Sequence, residues 1–337
     1  MDVKLSHFST ILVAAASLVI VVAGMRTAST IINPFLIAVF VATLCAPPLF
    51  WLQRQGVPTG LAVAIILLGL VVAAFILIVF VGRSLNALTQ QLPFYQERLG
   101  VIMTGLSAWL SSHGVDMTNV LLSDYLSPGK VMALIYYTLS TFRGLFTNMF
   151  LVFLIVLFIL IEASGFPDKL AAAFPDPEKT LGHFKAMTTS VNQYMGVKAI
   201  FSMATGILIW LILALIGVDF APTWGLLAFL LNFIPNIGSI IAAVPAILLA
   251  LLQLGFPAAL LALLGYLVVN ITIGNFLEPR FMGRRLGLST LVVFLSLLFW
   301  GWVLGPIGMV LSVPLTMIVK IALAANEDTR WVAVLLE

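Results

Sequence analysis

Residues 222–254 read PTWGLLAFLLNFIPNIGSIIAAVPAILLALLQL, a stretch without one charged side chain. As a single α-helix it is about 50 Å long at roughly 1.5 Å per residue. A bilayer's hydrocarbon core is about 30 Å thick and takes about 20 residues to cross. The stretch is therefore too long for one crossing and too short for two with a loop between them. Its middle carries helix breakers: Asn232-Phe233-Ile234-Pro235-Asn236-Ile237-Gly238, and then Pro245. Residues 286–319 pose the same problem, interrupted at Gly301-Trp302-Val303-Leu304-Gly305-Pro306-Ile307-Gly308 and followed by Pro314. The two interruptions share a pattern of Pro, one or two residues, Gly, an apolar stretch and then Val-Pro, at Val244-Pro245 and Val313-Pro314. Paired, interrupted hydrophobic segments point to a transporter's binding site.

The rest of the chain explains why these segments stand out. Of 337 residues, 62% are hydrophobic and 9% charged, and the mean hydropathy is +1.18. Soluble domains carry roughly 25% charged residues, so this chain has too few to solvate a globular surface. No Asp, Glu, Lys or Arg occurs in 27–53, 55–82, 144–161, 199–218, 220–277 or 286–319. These are continuous Leu/Val/Ile/Ala runs of about spanning length, not the short alternating strands of a membrane barrel. The expected fold is all-α, a polytopic membrane protein. It has about six full spans plus two broken helical hairpins, eight hydrophobic segments in all, with amphipathic helices between spans 3 and 4 and between spans 4 and 5.

Along the chain this gives three scaffold helices in 1–82, then an amphipathic, extramembrane or interfacial region at 83–144. Membrane helix 4 follows at 145–163 and a cytoplasmic amphipathic segment at 164–198. A transport core occupies 199–325, with hairpins at 222–254 and 288–320, before a cytoplasmic tail at 326–337. The apolar stretch Phe8–Gly24 is long for a signal peptide and no small-x-small site precedes Arg26, so it reads as a retained first helix. In the 83–144 region Leu85, Leu88, Leu92, Tyr95, Leu99, Ile102, Leu106 and Trp109 repeat at steps of three and four, interrupted only by Pro93. That is an a/d seam. It can lie on the membrane surface, pack on its neighbour 117–142, or make a subunit contact.

Charge bias decides between hairpins and crossings. With a cytoplasmic N-terminus and two hairpins, 11 of 16 basic residues fall inside; if both segments cross, the split is 8 to 8. The positive-inside rule favours the hairpins. A chain that turns within lipid frees backbone groups that protein or trapped water must satisfy, so the tips face a polar interior where helix ends offer their dipoles to a solute.

The candidate substrate-binding residues are therefore Asn232, Pro235, Asn236, Gly238 and Ser239 at the first tip, Asn270 and Asn275 late in the 257–277 helix, and Gly305, Pro306 and Gly308 at the second tip. Amides and hydroxyls both donate and accept hydrogen bonds, which suits an uncharged, hydroxyl-rich solute. Their plain alternative is capping of broken helix ends or gluing the bundle. Glu278, Arg280 and Arg284 are the candidates for coupling or gating, with an interfacial ion pair between Glu278 and Arg280 or Arg284 as the plainer reading. Trp300 and Trp302 wall the cavity or anchor at the interface. Lone Cys45 gives no disulfide framework, and His7, His113 and His183 carry no metal-ligand spacing. Neither a metal nor a cofactor is expected. A dispersed net charge of +3 gives no case for nucleic acid. With no nucleophile–base pair, paired acids or histidine cluster, enzymatic activity is not expected; a non-transporting scaffold leaves the broken segments unexplained.

The stretches NFIPNIGSIIAAVPAILLALL (232–252) and NFLEPRFMGRRLGLSTLVVFLSLLFWGWVLGPIGMVLSVPLTMIVKIAL (275–323) resemble the autoinducer-2 exporter family, and IINPFLIAVF (31–40) and LTQQLPFYQ (88–96) do so less specifically. The resemblance implies a multi-pass protein of the bacterial inner membrane, with both termini cytoplasmic, assembled as a homo-oligomer, a homopentamer. It implies export of a small polar signal, autoinducer-2, by an elevator-type movement using the two hairpins. The direction of transport comes from this resemblance alone. Other members of such a family are credited with sodium- or potassium-for-proton exchange, which is the alternative function.

Overall fold

The computed structural model describes residues 7–113, 133, 149–163, 165, 169, 171–172, 177–235, 237–282, 287–325 and 327–337. Asn236, Arg284 and the 117–142 neighbour of the seam, apart from residue 133, lie outside them. Among the described residues there are helices and no strands. In chain order these are α1 (His7–Thr27), α2 (Ser29–Arg54), α3 (Thr59–Ser112), α4 (Met149–Glu162), α5 (Pro177–Ile216), α6 (Ala221–Leu231), α7 (Ile237–Leu254) and α8 (Phe256–Val269). A π-helical turn (Asn270–Leu277) continues α8 into α9 (Glu278–Met282), followed by α10 (Thr290–Leu304), α11 (Pro306–Ala324) and α12 (Arg330–Leu335).

Six described helical stretches are long and apolar enough to cross a membrane: Ser29–Arg54, Thr59–Gly105, Phe184–Ile216, Ile237–Leu254, Phe256–Phe281 and Pro306–Ala324. Shorter apolar helices accompany them. Leu18, Ile20, Phe75, Leu215 and Phe276 are well over half exposed. Such apolar surface is a liability in water and ordinary against acyl chains. The chain is an all-α, polytopic membrane protein.

Two features refine the expected organisation. No helix end separates the third span from the seam after it, because α3 runs unbroken through both for about 80 Å. Likewise α5 joins the charged segment before residue 199 to the fifth span. Proline also acts differently from expectation. Pro245 lies inside α7 and Pro314 inside α11, both buried, and neither ends its helix. One lost backbone hydrogen bond is tolerated where the surrounding helices pack closely. The breaks fall only at the tips, after Leu231 and at Gly305.

The chain divides into two compact units. The first comprises Met1–Ile66, Phe150–Gly196 and Arg284–Glu337. There α10 and α11 pack as a hairpin, α1 lies on α10, α2 touches both limbs and α12 covers α11. Gly305 makes the turn at φ 70° and ψ −150°, a conformation in which a Cβ is strained.

The second unit comprises Leu67–Met149 and Val197–Gly283. Its core gathers Leu88, Tyr95 and Leu99 of α3 with Ile209 and Leu213 of α5, Trp224 of α6, and Ala242, Ala246 and Leu249 of α7. The seam thus has a partner within its own chain, though Trp109 at its end is exposed. Small residues let these helices touch at the backbone. A Cβ on Gly206 would come within 2.8 Å of the Gly225 carbonyl, and one on Gly225 within 2.6 Å of the Gly206 carbonyl.

Candidate solute site

In the second unit, α6 ends at Leu231 because Pro235 has no N–H to continue the ladder, and α7 restarts at Ile237. Gly238 closes this tip. A Cβ there would lie 1.8 Å from the Leu231 carbonyl oxygen, so only glycine lets the two limbs approach so closely. Asn232 is buried and its Nδ2 donates to Ser202 Oγ of α5 at 3.0 Å. Pro235 and Ser239 are half-buried beside it.

One turn before Ser202, Lys198 Nζ donates to Glu278 Oε1 at 2.6 Å, with 6% and 12% of the two side chains exposed. Glu278 is thus an ion-pair partner with Lys198 as its cation, while Arg280 is exposed and Arg284 lies outside the described residues. Desolvation makes such a pair costly unless its geometry is good, and this one closes the π-helical turn that carries Asn270 and Asn275. Asn270 is half-buried, with its Oδ1 3.1 Å from where a Cβ of Gly274 would stand, while Asn275 is exposed. The structure therefore brings Asn232, Ser202, Lys198 and Glu278 to one stretch of α5 and leaves Asn275 and Arg280 outward.

The far end of α5 carries residues that sequence reasoning did not single out. Phe220 takes a left-handed conformation (φ 58°), which turns the chain into α6. Asp219 anchors that turn: Tyr95 donates to its Oδ2 at 2.9 Å and is also bonded to Gln91, while the Asp219 N–H donates to Gln253 Oε1 at 2.8 Å. Ser84 and Thr223 hydroxyls meet at 2.6 Å one turn away. Lys198 and Ile216, the last residue of α5, are 18 positions and so about 27 Å apart along the helix, close to a bilayer core's thickness. Asn232 meets α5 one turn from Lys198, so the first hairpin reaches most of the way along the charge-free run 199–216.

In the first unit, the second tip is built the same way. A Cβ on Gly308 would lie 2.0 Å from the Trp300 carbonyl oxygen, and Pro306 begins α11 directly after Gly305. Trp300 Nε1 donates to Thr316 Oγ1 at 3.0 Å, while exposed Trp302 stands 4.8 Å from the Arg26 guanidinium. Asn33, in the apolar run of α2, donates from Nδ2 to the Leu304 carbonyl at 3.1 Å, and its buried Oδ1 has no partner among the described residues. Its only signal in the sequence was an isolated amide before Pro34.

The family model for AI-2E family transporters matches residues 15–328. The chain belongs to the AI-2E transporter family. Among similar proteins, the AI-2 transport protein TqsA of Escherichia coli (strain K12) is 44% identical over 326 residues, 97% of this chain and 95% of that one. A Haemophilus influenzae protein named for transport is 38% identical, covering 96% of this chain and 95% of its own. YhhT of Escherichia coli (strain K12), also named for transport, is 37% identical over 97% of this chain and 93% of its own length. This AI-2E family protein is accordingly a membrane transporter and not an enzyme. Among the described residues, an amide and a hydroxyl meet at the first tip, a second amide stands at the second tip in the other unit, and the one buried ion pair is internally neutral.

Proposed function

We propose that this transporter exports autoinducer-2, a small, neutral, oxygen-rich signal, across the bacterial inner membrane, with both termini cytoplasmic. The observation that carries the reading is the first hairpin's tip, where Asn232 is drawn onto Ser202 inside a helix bundle and Gly238 keeps the break tight. The 44% identity to a relative named for AI-2 transport supports the substrate. Asn232, Pro235, Asn236, Gly238 and Ser239 are assigned to one part of the site, and Asn270 and Asn275 of the π-helical turn are assigned to it as well. Gly305, Pro306 and Gly308 form the second tip. Glu278, Arg280 and Arg284 act in coupling or gating, Glu278 through Lys198.

The movement is of elevator type: hairpin-bearing helices shift against a scaffold, in a homo-oligomer, a homopentamer. Sodium- or potassium-for-proton exchange is the rival function. The neutral Lys198–Glu278 pair weighs against it, since a carboxylate already held by an ammonium is a poor free carrier. Efflux of autoinducer-2 from proteoliposomes, with and without sodium and proton gradients, tests the reading. Wild-type protein is expected to carry the signal and an Asn236→Leu, Gly305→Leu double variant to lose it. Equal flux in both would remove the hairpins from the site, and cation-dependent proton flux without signal flux would favour the exchanger.

A further inference from the structure

The buried side of α5 presents Lys198, Ser202, Thr205, Ile209 and Leu213 at steps of three and four. Two of its three polar members are satisfied, Lys198 by Glu278 and Ser202 by Asn232. Thr205 is not. The residue is 6% exposed, and its Oγ1 is buried without a hydrogen-bond partner among the described residues.

This departs from how other helical hydroxyls of this chain behave. Thr27, Thr43 and Thr188 each donate to the carbonyl four residues back at 2.7–2.9 Å, and Ser84 does so at 3.0 Å. That bond is available to any helical threonine, yet Thr205 does not make it. A buried hydroxyl without a partner is unfavourable and rare in native structures, and marks a place completed by something else. Its position is also specific: Thr205 stands one turn beyond Ser202, where the first tip reaches α5, and next to Gly206, whose backbone meets α6.

We infer that Ser202 and Thr205 of α5, with Asn232, form a hydrogen-bonding face for a neutral, hydroxyl-bearing solute, and that the Thr205 hydroxyl is the group left for it. The inference rests on the exporter reading above and adds to it two residues from outside the hairpins. The donor set suits a polyol because each group both gives and accepts a hydrogen bond. Lys198 and Glu278, one turn away, neutralise each other and give a charged solute no counter-ion.

Thr205→Val removes the hydroxyl and keeps the shape. In proteoliposomes it is expected to raise KM for autoinducer-2 about tenfold, the size of one lost hydrogen bond, with kcat nearly unchanged. Thr205→Ser should restore KM. Without solute, Thr205→Val should melt at or above the wild-type Tm, because an unpaired hydroxyl has been removed. A lower Tm with unchanged KM means the hydroxyl is structural and overturns the inference while the exporter reading stands.

A second measurement does not depend on the substrate. In a Cys45→Ala background, Thr205→Cys should react with a small hydrophilic thiol reagent during the transport cycle, and autoinducer-2 should slow the reaction. No reaction overturns the site; protection by sodium alone makes it a cation site and overturns the assignment to a neutral solute. If wild-type protein carries no autoinducer-2, the substrate named above fails, and the Tm comparison still judges Thr205.

Discussion

Lys198 and Glu278, 80 positions apart in sequence, meet at 2.6 Å with their side chains almost wholly removed from solvent. The contact ties the foot of α5's apolar run to the end of the π-helical turn. It fixes the level of the polar stretch that begins at Lys198 and ends at Thr205.

Breaking that pair from one side leaves an uncompensated charge, which costs about 3–5 kcal/mol in buried settings. Lys198→Met and Glu278→Leu are each expected to lower thermal stability in detergent strongly. The double variant should recover most of the loss. Unfolding of all three, compared in a double-mutant cycle, checks this; additive losses would mean that the two groups do not depend on each other.

The hairpin tips respond to a single methyl group. A Cβ at position 238 or 308 would stand 1.8 or 2.0 Å from a backbone carbonyl oxygen, distances no real Cβ takes. Gly238→Ala and Gly308→Ala should each spread the limbs of their hairpin and abolish transport. Gly305→Ala meets no neighbour and is strained only through its positive φ, so it should cost about 1–3 kcal/mol and leave a folded protein. Size-exclusion profiles and flux separate the two classes.

Asp219 should hold α3 to the α5–α6 turn. Hydrogen bonds to charged groups contribute about 1.5–3 kcal/mol, so Tyr95→Phe is expected to cost about that much. Asp219→Ala should cost at least as much, because it removes the charged acceptor and leaves the Tyr95 hydroxyl with Gln91 alone. Hydrogen exchange of the amides at Asp219 and Thr223 should quicken in both, with little change around Asn232.

At the other end of the first unit, the Lys320 hydrogen bond holds the Glu337 carboxyl below its ordinary value of 4.5. A depressed carboxyl pKa stabilises the folded form above the unfolded value, and that contribution is lost as pH falls through the lower folded value. The docking of α12, read from exchange of the Ser289 amide on the Leu336 carbonyl, should therefore be constant at neutral pH and loosen only below pH 4.5. Glu337→Gln should remove that dependence.

The membrane architecture was legible because it follows from one solvent rule: charges are absent wherever lipid must be met. Breaks at the tips were legible as well, since Pro235 and Gly305 act on their own backbone. Pro245 and Pro314 look equally disruptive in sequence and prove harmless, because tertiary packing decides whether one missing N–H matters. The partners of Glu278, Tyr95 and Asn33 lie 80, 124 and 271 positions away. No local pattern encodes such meetings, and the Thr205 hydroxyl, without a partner among the described residues, becomes visible only in the packed helices.

The contact of Gly238 with the Leu231 carbonyl has a kinetic consequence. Side-chain gates swing within nanoseconds by changing rotamer. A closure made of main chain against main chain has no rotamers to change, so it opens only when a whole limb is displaced, on the microsecond-to-millisecond scale of collective movements. Turnover limited this way should be slow and steep in temperature.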